Sequence, residues 1–344
     1  MAGTSFDPSR ALKMWFGETG RAARMSTLFQ ALDVRYSRTL TSSYDGAAFD
    51  PGLGFQFALG GPDGFRKTQD HLATMASFSD QFTVQTGFLL RKDLTLSALG
   101  QFSRSDNYTR RLDNTQALIE GKQQRLPDLG LGWTDSLAWL KNWEPFGRGK
   151  FRPLGWLRAI TTLRVDAHFV ATRSQTFVAA ESADQPADLR VDDSKRYPIN
   201  ASIAWNDMTG GLLTNFRYEK LTTTGSHPGS LTQTQTQDLS ADLSRSFPLP
   251  PSWGLRSRLR AHMGWTQHTS SSYITVQNAD HPSRLTDNGT TAFNLNADTD
   301  IASNLKFSLS GAHVVSYDNN FNRKLTQFVL TMTFTLQYQT GVIR

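Results

Sequence analysis

Apolar and polar residues alternate with a period of two along nearly the whole chain. In the last such run Phe328, Leu330, Met332, Phe334, Leu336 and Tyr338 fall on one side, and Val329, Thr331, Thr333, Thr335 and Gln337 on the other. Successive side chains of a strand point to opposite faces, so this run predicts one greasy face and one mostly polar face. The pattern recurs in Leu32–Tyr36, Leu53–Leu59, Phe82–Leu90, Leu94–Phe102, Leu129–Trp133, Leu163–Phe169 and Ile199–Trp205. It continues through Leu212–Tyr218, Leu239–Leu243, Leu259–Trp265, Phe293–Ile301 and Leu305–Leu309. Matched to a strand template, these runs predict about thirteen strands. A strand the length of the last run extends roughly 35 Å, enough to cross a bilayer core at a tilt.

Little of the sequence reads as helix. Residues 1–26 form an N-terminal segment predicted to be partly helical, with an interrupted helix over 11–25. A second short helix is expected over 136–143, where Asp135 would be the N-cap and Trp139 and Trp143 lie one turn apart. Connections carry more information. Short links at 206–211, 247–254 and 302–304 alternate with long polar ones at 174–197, 222–236 and 268–290. Outer-membrane barrels have that asymmetry, with short periplasmic turns and longer outer loops. On this reading 27–344 is a transmembrane β-barrel portion of about 13–14 antiparallel strands, and the Trp-rich link at 136–156 lies at the periplasmic interface.

The charge distribution sharpens the picture. Arg256, Arg258, Arg260 and His262 alternate with apolar or small residues, as do Arg164 and Asp166, and Asn294, Asn296 and Asp298. Rows of charge on one side of a strand require water there, while the opposite side requires oil. A wet lumen and a lipid exterior satisfy both. The lumen-facing set is therefore Arg164, Asp166, Arg256, Arg258, Arg260, His262, Asn294, Asn296 and Asp298. The lipid-facing set is Phe328, Leu330, Met332, Phe334 and Leu336. Tyr36, Trp133, Trp205, Trp265, Tyr317 and Tyr338 sit near run ends, where interfacial rings are favoured. A soluble sandwich with its polar face in solvent would share the alternation but has no reason for the loop asymmetry.

Composition adds exclusions. The 344 residues contain no cysteine, which removes disulfides, thiolate metal sites and cysteine nucleophiles. No hydrolase, zincin, P-loop or dinucleotide signature occurs. Asn296, Asp298 and Asp300 share the spacing of a calcium loop but lack its glycine and terminal glutamate. The expectation is a protein with no catalytic residues, metal or cofactor. The net charge of +6 fits anionic neighbours such as lipid head groups. The N-terminus, MAGTSFDPSR, has neither the basic nor the apolar region of a secretory signal. With the odd strand count, it leads to the expectation of a fragment of a longer barrel, whose unpaired edge is Leu32–Arg38.

The order of segments resembles the C-terminal part of the SprA/Sov family, outer-membrane translocons of the type IX secretion system. The resemblance lies in PGLGFQFALG (51–60), LPDLGLGW (126–133), LRAITTLRVDAHFVATRSQTF (157–177), RYEKLTTT (217–224) and LTQFVLTMTFTLQYQ (325–339). It runs collinearly over residues 28–340, while 226–236, 268–290 and the terminal GVIR depart from the pattern. It implies a wall segment of a very wide channel in the bacterial outer membrane, passing proteins from periplasm to cell surface. The implied partners are outer-membrane lipid, secreted cargo and plug or shuttle subunits, with no nucleic acid. The alternative is a stand-alone porin or small-solute channel.

Overall fold

A computed structural model describes residues 2–7, 10, 14, 28–43, 67–68, 71–110, 116–137, 159–178, 188–206, 211–249, 258–277, 279, 281–302 and 305–336. The fold is all-β. Its strands are β1 (Ala2–Phe6), β2 (Leu32–Ser43), β3 (Lys67–Thr68), β4 (His71–Leu72), β5 (Met75–Arg91), β6 (Leu94–Arg110), β7 (Gln116–Asp135) and β8 (Ile160–Val178). They continue with β9 (Asp188–Trp205), β10 (Leu213–His227), β11 (Ser230–Phe247), β12 (Leu259–Val276), β13 (Ser283–Ala302), β14 (Leu305–Asp318) and β15 (Arg323–Leu336). Apart from the small β3–β4 hairpin, all lie in one 13-stranded sheet in the order β1-β2-β5 and then consecutively to β15. Every neighbouring pair is antiparallel.

Register carries the period-two pattern from strand to strand. Met332 lies opposite Leu309, Leu309 opposite Ala297, Ala297 opposite Ala261, and Met263 opposite both Leu295 and Leu243. On the other half of the sheet Val34 faces Val84, Leu131 faces Leu96 and Ala167, and Ile199 faces Tyr218. A one-residue slip anywhere would move an entire apolar set to the polar side, so the pattern itself pins the pairing.

Two parts of the sequence reading differ from the structure, and others lie outside the described residues. Residues 2–6 are strand, with Thr4 opposite Val34 and Phe6 opposite Leu32. Glycine, threonine and serine in AGTSF are weak helix formers, and the β2 ladder offers them partners. Asp33–Tyr36 is therefore paired on both sides, so most of the expected edge Leu32–Arg38 has a neighbour in β1. Among the described residues the outer strands are β1 and β15. The expected long loops at 174–197, 222–236 and 268–290 are largely strand. β10 and β11 meet in a tight turn at Pro228-Gly229, where Gly229 has φ 78°. Threonine and glutamine sustain a ladder with water on both faces, so the hydrophobic run ended where the strand did not. Finally, the run 53–59, most of the helix expected over 11–25, and 138–156 lie outside the described residues. Of the second helix's start, Asp135 is the last residue of β7, and its Oδ1 accepts the Leu137 N–H at 3.0 Å.

Candidate functional site: the two faces of the sheet

Among the described residues the apolar face has no partner layer. Among the described residues the buried hydrophobic ones are Ala73, Ala76, Phe78, Leu137 and Ile160. By contrast Leu131, Ile199, Phe216, Met263 and Phe293 are exposed, and Phe328, Met332 and Phe334 on β15 are 69%, 62% and 64% exposed. A monomeric water-soluble protein rarely leaves so continuous an apolar surface bare.

Aromatic rings border this face. Tyr36, Phe82 and Phe102 stand side by side in register, as do Trp265 and Phe293, the second pair on the row that runs through Phe216 and Ala201 to Trp133. Phe169 and Tyr197 touch with ring centroids 5.0 Å apart. Trp133 and Trp205 stand near the C-terminal ends of β7 and β9, and the Trp205 indole donates a 3.0 Å hydrogen bond to Thr214 Oγ1. From Trp205 to Tyr197 the strand advances roughly 26 Å. Beyond the rings the apolar face turns charged. Tyr36 Oη donates to Asp80 Oδ1 at 2.5 Å, Arg38 Nε donates to the same oxygen at 2.9 Å, and Arg104 pairs with Asp106 at 3.0 Å. Of the remaining rings, Tyr317 lies farther along β14, packed over Gly289, and Tyr338 lies outside the described residues.

The opposite face is lined with charge. Arg164 and Asp166 occupy it on β8, with Asp166 opposite Asn200 and Arg164 opposite Ser202. Arg260 lies opposite Asp298, His262 opposite Asn296, and Asn294 opposite Gly264. Arg258, just before β12, lines a hollow of about 420 Å³ with Arg260, Asp298, Asp300 and Lys306. The residues chosen from alternation thus share one face, except Arg256, which lies outside the described residues. The chosen apolar set on β15 faces the other way, with Phe334 opposite Phe307 and Leu330 opposite Gly311.

Sequence reasoning missed the wall's best-knit part. Glu219 accepts bonds from Arg196 Nε at 2.6 Å and Arg196 Nη2 at 2.9 Å, and Arg217 Nη2 reaches it at 3.0 Å. Arg217 and Glu219 are two apart on β10, a visible signal, but Arg196 comes diagonally from β9. Arg164 Nε meets Asp166 at 2.7 Å, and Arg125 meets Asp128 at 2.6 Å across a bulge in β7. His268 Nδ1 lies 2.6 Å from Asp238, and His262 Nε2 lies 3.5 Å from Asp242. Each of these bases has an acid within reach, so both signs are interleaved along this part of the wall. Among the described residues no group of three or more histidine or acidic side chains is placed to hold a metal ion.

No known family model matches the sequence, and no curated protein matches it. Among solved structures, the chain is similar to the translocator domain of the autotransporter NalP from Neisseria meningitidis. That likeness has 11% identity and a TM-score of 0.28, and covers 96% of this chain and 94% of that one. It is also similar to the β-domain of the Bordetella autotransporter BrkA, at 7% identity and a TM-score of 0.26, covering 90% of this chain and 100% of that one. TM-scores this low do not establish a common course of the backbone.

Proposed function

We propose that the chain is an outer-membrane β-barrel wall that lines a protein-conducting channel, passing polypeptides from periplasm to cell surface. The observation that carries this reading is the bare apolar face, bordered by rings, backed by a charged face on the same strands. Lipid covers the first and water fills the space beside the second. At the usual strand tilt of roughly 40° the band between the rings projects to about 20 Å across the membrane. Strands such as β13, 20 residues long, continue past the band into water. Among the described residues the wall interleaves acids and bases and shows no single-sign ring of the kind that selects small ions. It offers a hydrated, charge-neutral surface to a passing polypeptide. The protein has no catalytic role or cofactor in this reading.

The finer assignment, to the type IX secretion translocon, rests on the collinear resemblance to the SprA/Sov family. Its partners would be outer-membrane lipid, secreted cargo and plug or shuttle subunits, and nucleic acid would not be among them. Deleting the gene in its own host tests the function. Surface and secreted proteins should accumulate in the periplasm. An unchanged surface proteome with impaired small-solute uptake would replace the translocon with the porin.

A further inference from the structure

We infer that a hollow on the apolar side of the sheet, across β7 to β10, binds the phosphate of a membrane lipid headgroup. This rests on the membrane reading above. The β7 bulge between Arg125 and Asp128 interrupts pairing with β8 and leaves Leu126 projecting to this side, beside the small Ala171. Around them opens a hollow of about 640 Å³ lined by Gln124, Leu126, Ala171, Arg173, Asp193 and Lys195. Thr222 and Thr224 on β10 and Gln233 on β11 complete its lining. Register explains why these meet: Gln124, Arg173, Asp193 and Thr224 form one cross-strand row, and Ala171, Lys195 and Thr222 the next.

Charge decides the occupant. Arg173 Nε stands 3.7 Å from Asp193 Oδ1, with both side chains half exposed, a pair too loose to saturate the guanidinium. Lys195 has no ion-pair partner among the described residues, and neither has Lys220, the diagonal neighbour of Lys195 through Thr222 on the same side. Two cations in the lining, with Lys220 beside it, against one carboxylate favour an anion. Two threonine hydroxyls and a guanidinium fork supply directional donors suited to phosphate.

Position decides that this anion is a lipid's. Directly below the hollow lie the Phe169–Tyr197 ring pair and the apolar side chains Leu129 and Ile199. A free anion gains nothing from that greasy wall. A phospholipid seats its phosphate among the cations while its chains run down along the rings.

The full-length chain in neutral detergent is titrated with dioctanoyl phosphatidic acid, inorganic phosphate and dioctanoylglycerol, and bound molecules are counted by native mass spectrometry. Phosphatidic acid should bind far better than either fragment. The double variant Lys195→Gln/Lys220→Gln should weaken it about thirty-fold, by the usual contribution of two basic residues at a membrane surface. Lys195→Arg/Lys220→Arg should retain binding, as should Arg190→Gln at the strand tip; heat-modifiability checks that each variant folds. Unchanged binding in the glutamine variant overturns the site. Inorganic phosphate binding as well as the lipid overturns the lipid assignment. Carbonate extraction of wild-type protein from liposomes separates the two premises. An integral protein that retains no phosphatidic acid defeats the site alone, whereas extraction into the wash defeats the membrane reading.

Discussion

Arginine placed at Met332 or Thr333 puts the two-faced sheet to its sharpest test. Both positions lie on β15, one residue apart, so strand propensity, chain position and the effect of an outer strand are shared. Met332 stands four residues from Phe328 and four from Leu336, at the middle of the apolar row, and faces Leu309. Thr333 faces Ser308, which in turn faces Asp298 on the charged wall. An arginine at the bilayer midplane of such a barrel costs about 2–4 kcal/mol, equivalent to roughly thirty to seven hundred fold in the folding constant. At Thr333 the guanidinium emerges among serine hydroxyls and near a carboxylate, where that cost is absent. Folding of Met332→Arg and Thr333→Arg into liposomes is titrated with urea and followed by tryptophan fluorescence and heat-modifiability. Met332→Arg should lose most of the folded fraction at a urea concentration where Thr333→Arg resembles wild type. Equal losses, or a larger loss at Thr333, would refute the facing assignment and with it the lipid-covered surface.

Further measurements address the wall, the ladder and the topology. Glu219→Gln removes the acceptor of Arg196 and Arg217 and should cost about 1 kcal/mol after allowance for partial solvent screening, while Arg190→Ala at the strand tip stays within about 0.5 kcal/mol; equal effects in urea titration would mean the wall pairs contribute nothing. A Cβ at Gly289 would sit 2.6 Å from the Tyr317 ring, so Gly289→Ala should destabilise by about 1 kcal/mol or more, and much less in a Tyr317→Ala background; an additive double-mutant cycle would show that the ring does not cover the glycine. Because the chain has no cysteine, single cysteines report the topology cleanly. Pro228→Cys, in the β10–β11 turn, should label on intact cells with an impermeant reagent, and Lys92→Cys, in the β5–β6 turn at the opposite end, only after permeabilisation; the reverse result inverts the orientation.

What the sequence determined by itself was the two-sidedness of each strand. A period of two is a local property, so Phe328, Leu330 and Met332 declare their shared side without any knowledge of neighbours. For the same reason the row Arg258, Arg260, His262 was legible, as was its separation from Leu259, Ala261 and Met263. Where both sides meet water the alternation vanishes, and the strand character of Thr222–Ser226 and of Ser270–Val276 vanished from the sequence with it. Only the hydrogen-bonded ladder shows that they continue β10 and β12. The tertiary structure also decided what diagonal neighbours do. Arg196 and Glu219 are 23 residues apart in the chain, and no local pattern couples them; the β9–β10 register alone brings them to 2.6 Å. The same holds for β1, too short to show a period, and for the hollow at Lys195, which needs a bulge in one strand and side chains from three others. Faces are written residue by residue, but contacts depend on register, which is settled only when every strand has found its neighbour.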